Sequence, residues 1–360
     1  MVPAMVAAWR RYWSATPGTT NPLAWFGTVS LHDGGDEGDG NNAQGIRWSQ
    51  TGNWGSLPSP ALPNSFIAEA YDGGDVWEGW VCYDTDAPGG TKDKLCCVDR
   101  SVPLGKDCVG DHRGLYDNAS TQFYMGTLHP RTKRVPSVRL AQQAWASIYA
   151  PASALLTTGP VISGCTVRGA SLVISFNATL LKNEKVVISR PNGSLPMSAA
   201  SENTGFFALA GNNVLPPNVD QNIRFSTDVW DYKGPFSDGN EYGVTGWVPL
   251  MPSATGNDNL VSLDLTPLGG ETITAIRYAV GGSECWSGGG DPSPPNGGVC
   301  ARLCTGPFQD CALQPCLTES CPVKSSNSAG NGALQLPATP FVASVVGGKC
   351  KCLPPQKCDE

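Results

Sequence analysis

The sequence predicts a mixed α/β chain. A parallel α/β segment occupies residues 1–150 and an antiparallel β-sandwich residues 151–284. A Cys-, Pro- and Gly-rich extension follows over 285–360 and partly returns to the β domain at 334–346. Three observations predict this. Before residue 151, apolar strand-like runs alternate with loops and end in an amphipathic helix, the order of a parallel α/β unit. After Pro151, short stretches alternate apolar and polar at period two, as the half-buried strands of an antiparallel sandwich or barrel do. The chain's 43 Gly and 30 Pro supply the turns that such strands need.

In order along the chain, residues 4–15 read as a helix with Met5, Ala8, Trp9 and Trp13 on one side. Residues 23–31, Leu-Ala-Trp-Phe-Gly-Thr-Val-Ser-Leu, are almost continuously apolar, as a strand buried on both faces of a parallel sheet is. Residues 32–42 form an acidic glycine loop without the spacing of a calcium loop. The stretch from Ile46 to Trp54 opens another element, and 65–72 reads as a second strand ending at Asp72. Residues 73–125 lack periodicity and carry Cys82, Cys96, Cys97 and Cys108, which marks an inserted loop or lid. These four cysteines are expected to pair among themselves and to staple the loop as a wall of the cleft beside His129. A helix to about Ala150 follows, with Pro136 near its start, where a missing N–H costs least. The period-two stretches then lie at 161–167, 171–176, 186–189, 260–265 and 272–279.

The totals exclude several classes of function. A net charge of -7 does not suit a binder of nucleic-acid phosphates. No apolar run approaches the roughly 20 residues of a membrane span. Fourteen Cys with three N-x-Ser/Thr sequons, at Asn118, Asn177 and Asn192, point to a secreted, lysosomal or other endomembrane-lumenal protein. The residues before Arg10 are too short for a signal-peptide core, so a signal is expected outside this chain. The late Cys pairs at Cys300, Cys304, Cys311, Cys316, Cys321, Cys350 and Cys352 have neither His neighbours nor C-x2-C spacing. Disulfides therefore fit better than zinc, and no cofactor or metal is expected.

Chemistry concentrates at His129, one of three histidines, in Gly126-Thr-Leu-His-Pro-Arg-Thr-Lys133. It stands where a loop meets a helix, and an imidazole there can take and return a proton near neutral pH. In a parallel sheet the site lies beyond the carboxyl ends of the strands, the edge on which Asp72 and His129 both fall.

Five blocks in order carry a resemblance: Ile46-Arg-Trp-Ser-Gln-Thr51, Phe66-Ile-Ala-Glu-Ala-Tyr-Asp72, Leu128-His-Pro-Arg-Thr-Lys133 leading to Val138-Arg-Leu-Ala141, Ile276-Arg-Tyr-Ala279, and Leu336-Pro-Ala-Thr-Pro-Phe341. Together they resemble the sialate O-acetylesterases, SGNH-type hydrolases that are secreted or lysosomal, over about residues 4–165 and 271–345. The resemblance implies a flavodoxin-like α/β/α core with an appended β domain, and a Ser–His–Asp type site that removes O-acetyl groups from sialic acid or related sugars. His129 matches the family's catalytic His, which deprotonates the serine and then protonates the leaving alcohol. Arg47 and Gln50 fall in a block expected near the substrate. Many SGNH enzymes carry Asp three residues before the His, where this chain has Gly126, so Asp72 and Asp117 are the candidate carboxylates. The family's Ser lies upstream of its first helix, and these 360 residues contain neither a Gly-Asp-Ser block nor a G-x-S-x-G elbow. The chain is thus expected to correspond to a C-terminal portion with little activity alone. The alternative expectation is a non-catalytic extracellular carbohydrate binder that uses Trp77, Trp80, Trp230, Trp247 and Trp286 to stack on sugars.

Overall fold

The structure, a computed structural model, describes residues 2–31, 47–71, 133–188, 205–215, 246–279, 323–326, 334–352 and 358. Helix α1 (Val2–Trp13) precedes strands β1 (Phe26–Val29) and β2 (Ser65–Ala68), which pair in parallel with Phe26 beside Ser65 and Val29 beside Ala68. Helix α2 (Arg134–Ala144) packs on β2 and β1 and runs on into a π-helical turn, Trp145–Tyr149. The parallel pairing expected from the sequence is therefore present, as two strands among the described residues.

The two faces of this pair bury different residues. Ile67 meets Val6, Leu57 and Leu62, with Phe26 packed at the edge of that cluster. On the other face the Phe66 ring lies over Gly27, where a side chain would collide with it. Strand β2 is buried throughout, whereas β1 is only half-buried, so the expectation that 23–31 is covered on both faces is corrected. Its apolar run is spent partly on exposed contacts, with Trp25 against Phe66 and Phe26 against Trp9.

Both helices also turn a different side inward from the one their apolar pattern suggests. In α1, Val6 and Arg10 are buried while Met5, Trp9 and Trp13 are exposed. The reason is Arg10. Its Nε donates to the Ala24 carbonyl at 2.9 Å and its Nη2 to the Pro63 and Asn64 carbonyls at 2.8 and 3.0 Å. One guanidinium thus ties α1 to the loops entering both strands, and burial pushes its pKa below the ordinary arginine value. Arg10→Ala would remove three hydrogen bonds, with the Asn64 carbonyl still accepting from the Phe26 amide and the Ala24 and Pro63 carbonyls losing the donor they have here, and the expected loss is about 3 kcal/mol. Lysine lacks the planar fork and should recover only part of it. Urea midpoints of the two variants check this; a lysine variant as stable as the wild type would refute it.

Most of the antiparallel part, among the described residues, is one large sheet. Strands β3 (Ile162–Arg168), β4 (Ser171–Phe176), β6 (Phe206–Ala210), β7 (Val248–Pro249), β8 (Pro252–Ala254), β9 (Leu260–Asp264), β10 (Ile273–Tyr278), β12 (Phe341–Val346) and β13 (Lys349–Cys352) form nine strands in the order β7-β6-β10-β12-β13-β3-β4-β9-β8. Of the sandwich or barrel expected from the period-two stretches, the described residues show a single curled antiparallel sheet. Its inner side gathers Leu172, Ile174 and Phe176 with Phe206, Ile276, Tyr278 and Phe341 into one core. Curling replaces a second sheet as the means of covering that face. The two halves meet at a short seam, where Lys349 pairs with Thr166 and the Val167 amide donates to the Gly348 carbonyl at 2.8 Å. Beside it Cys165 is bonded to Cys350, with Cα atoms 4.9 Å apart.

The strand expected at 186–189 is β5 (Val186–Ile188). It stands outside the large sheet and pairs with β11 (Val323–Ser325). Beside these runs a buried strap around Leu336, Ala338 and Thr339. The Ser325 amide donates to the Leu336 carbonyl at 2.9 Å, the Ala338 amide to Val323 at 2.9 Å, and the Thr339 amide to Pro160 at 2.9 Å. Among the described residues, no helix is long and apolar enough to cross a membrane.

Candidate functional site

The carboxyl ends of β1 and β2 are held by polar side chains with little freedom. Ser30 is buried; its amide donates to the Ala68 carbonyl at 2.9 Å and its Oγ accepts from the Ala70 amide at 2.7 Å, which extends the ladder past the last strand residue. Gln50 lies in a helical turn at 47–50. Its Nε2 donates to the Val29 carbonyl at 2.9 Å and its Oε1 accepts from the Leu31 amide at 3.0 Å. A side-chain amide presents the same donor and acceptor as a peptide, so Gln50 takes the place of a neighbouring strand at the end of β1.

Arg47, one turn earlier, is buried at 4% exposure. Its guanidinium carbon lies 5.8 Å from the centre of the Tyr71 ring, and its Nη1 donates to the Ala279 carbonyl at 3.3 Å. Ala279 has φ +52, a left-handed conformation rare for a residue with a side chain. Tyr71 is fully buried and belongs to the core of the large sheet. Its hydroxyl donates to the Ala338 carbonyl. From the other side Arg139, on the buried face of α2, donates from Nη1 to the Glu69 carbonyl at 2.8 Å.

These contacts join distant parts of the chain. Ala279, Arg47, Tyr71 and Ala338 come from stretches separated by up to some hundreds of residues, yet each touches the next around the end of β2, and Arg139 joins them through the Glu69 carbonyl two residues before Tyr71. Residue by residue they fall in the blocks at 46–51, 66–72, 138–141, 276–279 and 336–341. Tyr71 and Arg139 were not singled out as site residues from the sequence, although both stand inside these blocks. The signal that could have found Arg139 is its spacing: with Val135, Gln143 and Ala146 it lines one face, and that face is buried. A buried face carrying Arg and Gln must have polar partners.

Gln142, next on α2, closes the arrangement against the strap. Its Oε1 accepts from the Leu334 amide at 3.0 Å and its Nε2 donates to the Leu334 carbonyl at 3.4 Å. The described structure begins again at Lys133, the residue before α2, four positions after His129. His129, Asp72 and Asp117 lie outside the described residues, as do Cys82, Cys96, Cys97 and Cys108 with their expected pairing. The described cysteines are all in disulfides, Cys165 with Cys350 and Cys352 with Cys358. Among the described residues no group of three or more His, Cys, Asp or Glu gathers in a way that could hold a metal ion.

Of the tryptophans considered for sugar stacking, Trp247 alone is described. It is half-buried and lies 4.3 Å from the Arg277 guanidinium carbon, which sits 5.3 Å from Phe207 on another side. The Arg277 cation therefore packs against the Trp247 ring.

No model of a known protein family matches the chain. A 97-residue stretch is 36% identical to the sialate O-acetylesterase of Rattus norvegicus, which covers 25% of this chain and 16% of that protein. Among solved structures, a carbohydrate acetylesterase from Xanthomonas citri aligns with 95% of this chain and 45% of its own, at 15% identity and a TM-score of 0.42. The stretch shared with the rat enzyme is about a sixth of that enzyme's length.

Proposed function

We propose that the chain carries the acid–base half of a carbohydrate O-acetylesterase site, with O-acetylated sialic acid or a related sugar as substrate. The observation that supports this reading most is the convergence of Arg47, Tyr71, Arg139, Ala279 and Ala338 at the carboxyl end of β2, the edge where parallel sheets place their chemistry. The local identity to a sialate O-acetylesterase supports it independently.

In this proposal His129 removes the proton of a serine hydroxyl as it attacks the acetyl carbonyl. It then gives that proton to the sugar oxygen as the ester C–O bond breaks. Asp72, or else Asp117, accepts the Nδ1 proton and fixes the tautomer. Asp72 is favoured because it follows Tyr71, whose ring and hydroxyl are both engaged. Arg47 and Gln50 were expected to bind substrate. With their polar atoms on the Ala279 carbonyl and on the end of β1, they act here as positioning residues beneath the substrate.

The test is hydrolysis of 4-nitrophenyl acetate and of an O-acetylated sialoside. It is run on the 360-residue chain alone and on the same chain joined to a Ser-bearing segment of the family. The chain alone is expected to stay near background, because a base without a positioned nucleophile and oxyanion donors gives little rate enhancement. In the joined protein, His129→Ala should lower kcat by about 10²-fold or more. The wild-type rate should rise with pH as the imidazole loses its proton. An undiminished His129→Ala rate would end the assignment.

A further inference from the structure

The strand β4 ends at Phe176 and hands over to a short helix, α3 (Ala178–Leu181), whose N-cap is Asn177. The Asn177 Oδ1 accepts from the Leu180 amide at 3.1 Å, and the Asn177 amide donates to the Val161 carbonyl at 2.8 Å. One half of the side-chain amide is thereby fixed. The other half, Nδ2, has no hydrogen-bond partner among the described residues. Asn177 is half-buried, while Ala178, Thr179 and Leu180 are all exposed. The chain reads Asn-Ala-Thr at 177–179, with no proline in the middle position.

From this geometry we infer that Asn177 is an N-glycan acceptor whose cap survives the modification. The step joins Nδ2 to the anomeric carbon of an oligosaccharide carried on a lipid diphosphate. The anomeric C–O bond to the diphosphate breaks, the diphosphate leaves with its electron pair, and Nδ2 gives up one of its two protons. The Oδ1 atom keeps its lone pairs, so the bond from Leu180 persists and the helix start is retained. The sugar would be attached beside a turn whose residues 178–180 are all exposed.

The required compartment agrees with the Cys165–Cys350 and Cys352–Cys358 bonds, since oligosaccharide transfer and disulfide formation share an oxidising lumen. The test uses the full chain behind a cleavable secretion signal in a eukaryotic host. Peptides are mapped before and after removal of N-glycans by a glycosidase in heavy-oxygen water, which converts each glycosylated Asn to a labelled Asp. The wild type should give labelled residue 177 as the predominant form. Asn177→Asp keeps the cap oxygen, and Thr179→Ala leaves the cap untouched, so each should fold and lose the mass of one glycan. The inference is overturned by an unmodified residue 177 in protein whose Cys165–Cys350 bond has formed. It is overturned equally if Thr179→Ala remains modified at 177.

Discussion

Replacing Cys165 and Cys350 together by serine should lower stability by about 3–5 kcal/mol, the larger end of what losing one native disulfide costs. The two cysteines are 185 residues apart in sequence, and the bond between them closes the seam where the two halves of the sheet meet. In the chain-entropy account the stabilisation grows with the length of loop closed. Cys352–Cys358, with a separation of 6, should therefore contribute only about 2 kcal/mol. Among the described residues its backbone pairing is short, one paired position and the amide of Val167 on Gly348. Urea unfolding of the two double variants beside the wild type measures the difference. Equal losses from both would mean that long-range closure is not what the Cys165–Cys350 bond supplies.

Gly159→Ala should cost about 3 kcal/mol, as a severe case of overpacking. A Cβ at this position would collide with the Pro337 carbonyl oxygen and lie 2.8 Å from its carbon. Both contacts are with backbone, so no side chain can turn aside. Either 159 or the strap must move, and the strap cannot move alone. It accepts the Tyr71 hydroxyl at Ala338, holds Pro160 through Thr339, and pairs with β11 through Leu336. The same variant should therefore disturb the end of β2, where the proposed site stands. Thermal melting gives the stability, and near-ultraviolet circular dichroism reports the buried Tyr71. A melting temperature and tyrosine signal equal to the wild type would show that the close approach is absent in solution.

Much of the fold can be read from local pattern. Strand β4 alternates buried Leu172, Ile174 and Phe176 with half-buried Ser171, Val173 and Ser175, and its expected bounds match those observed. Strands β3, β9 and β10 fall within a residue or two of their expected positions for the same reason. Strand β6, Phe-Phe-Ala-Leu-Ala, has no alternation to find because every residue is buried. Its outer face is covered in part by the Arg277 guanidinium over Phe207, a contact made from another strand. The helices mislead in the opposite sense. The apolar stripes of α1 and α2 are spent on exposed rings such as Trp13 and Trp145, while Arg10, Arg139 and Gln143 go inward. A hydrophobic pattern cannot anticipate an arginine whose partners are backbone carbonyls.

By itself, then, the sequence determined the α/β beginning, the antiparallel remainder and the residue types at the candidate site, because period and turn chemistry act over a few residues. It also supplied the five blocks around Arg47, Tyr71, Arg139, Ala279 and Ala338, but only as an order along the chain. Tertiary structure alone decided that these blocks meet at one strand end, through contacts as far apart in sequence as Arg47 and Ala279. It decided as well that nine strands share one curled sheet. The physical reason is the same for both. Carbonyls left open at a strand end and faces left open on a sheet must find partners, and which partners are within reach depends on how the whole chain has closed.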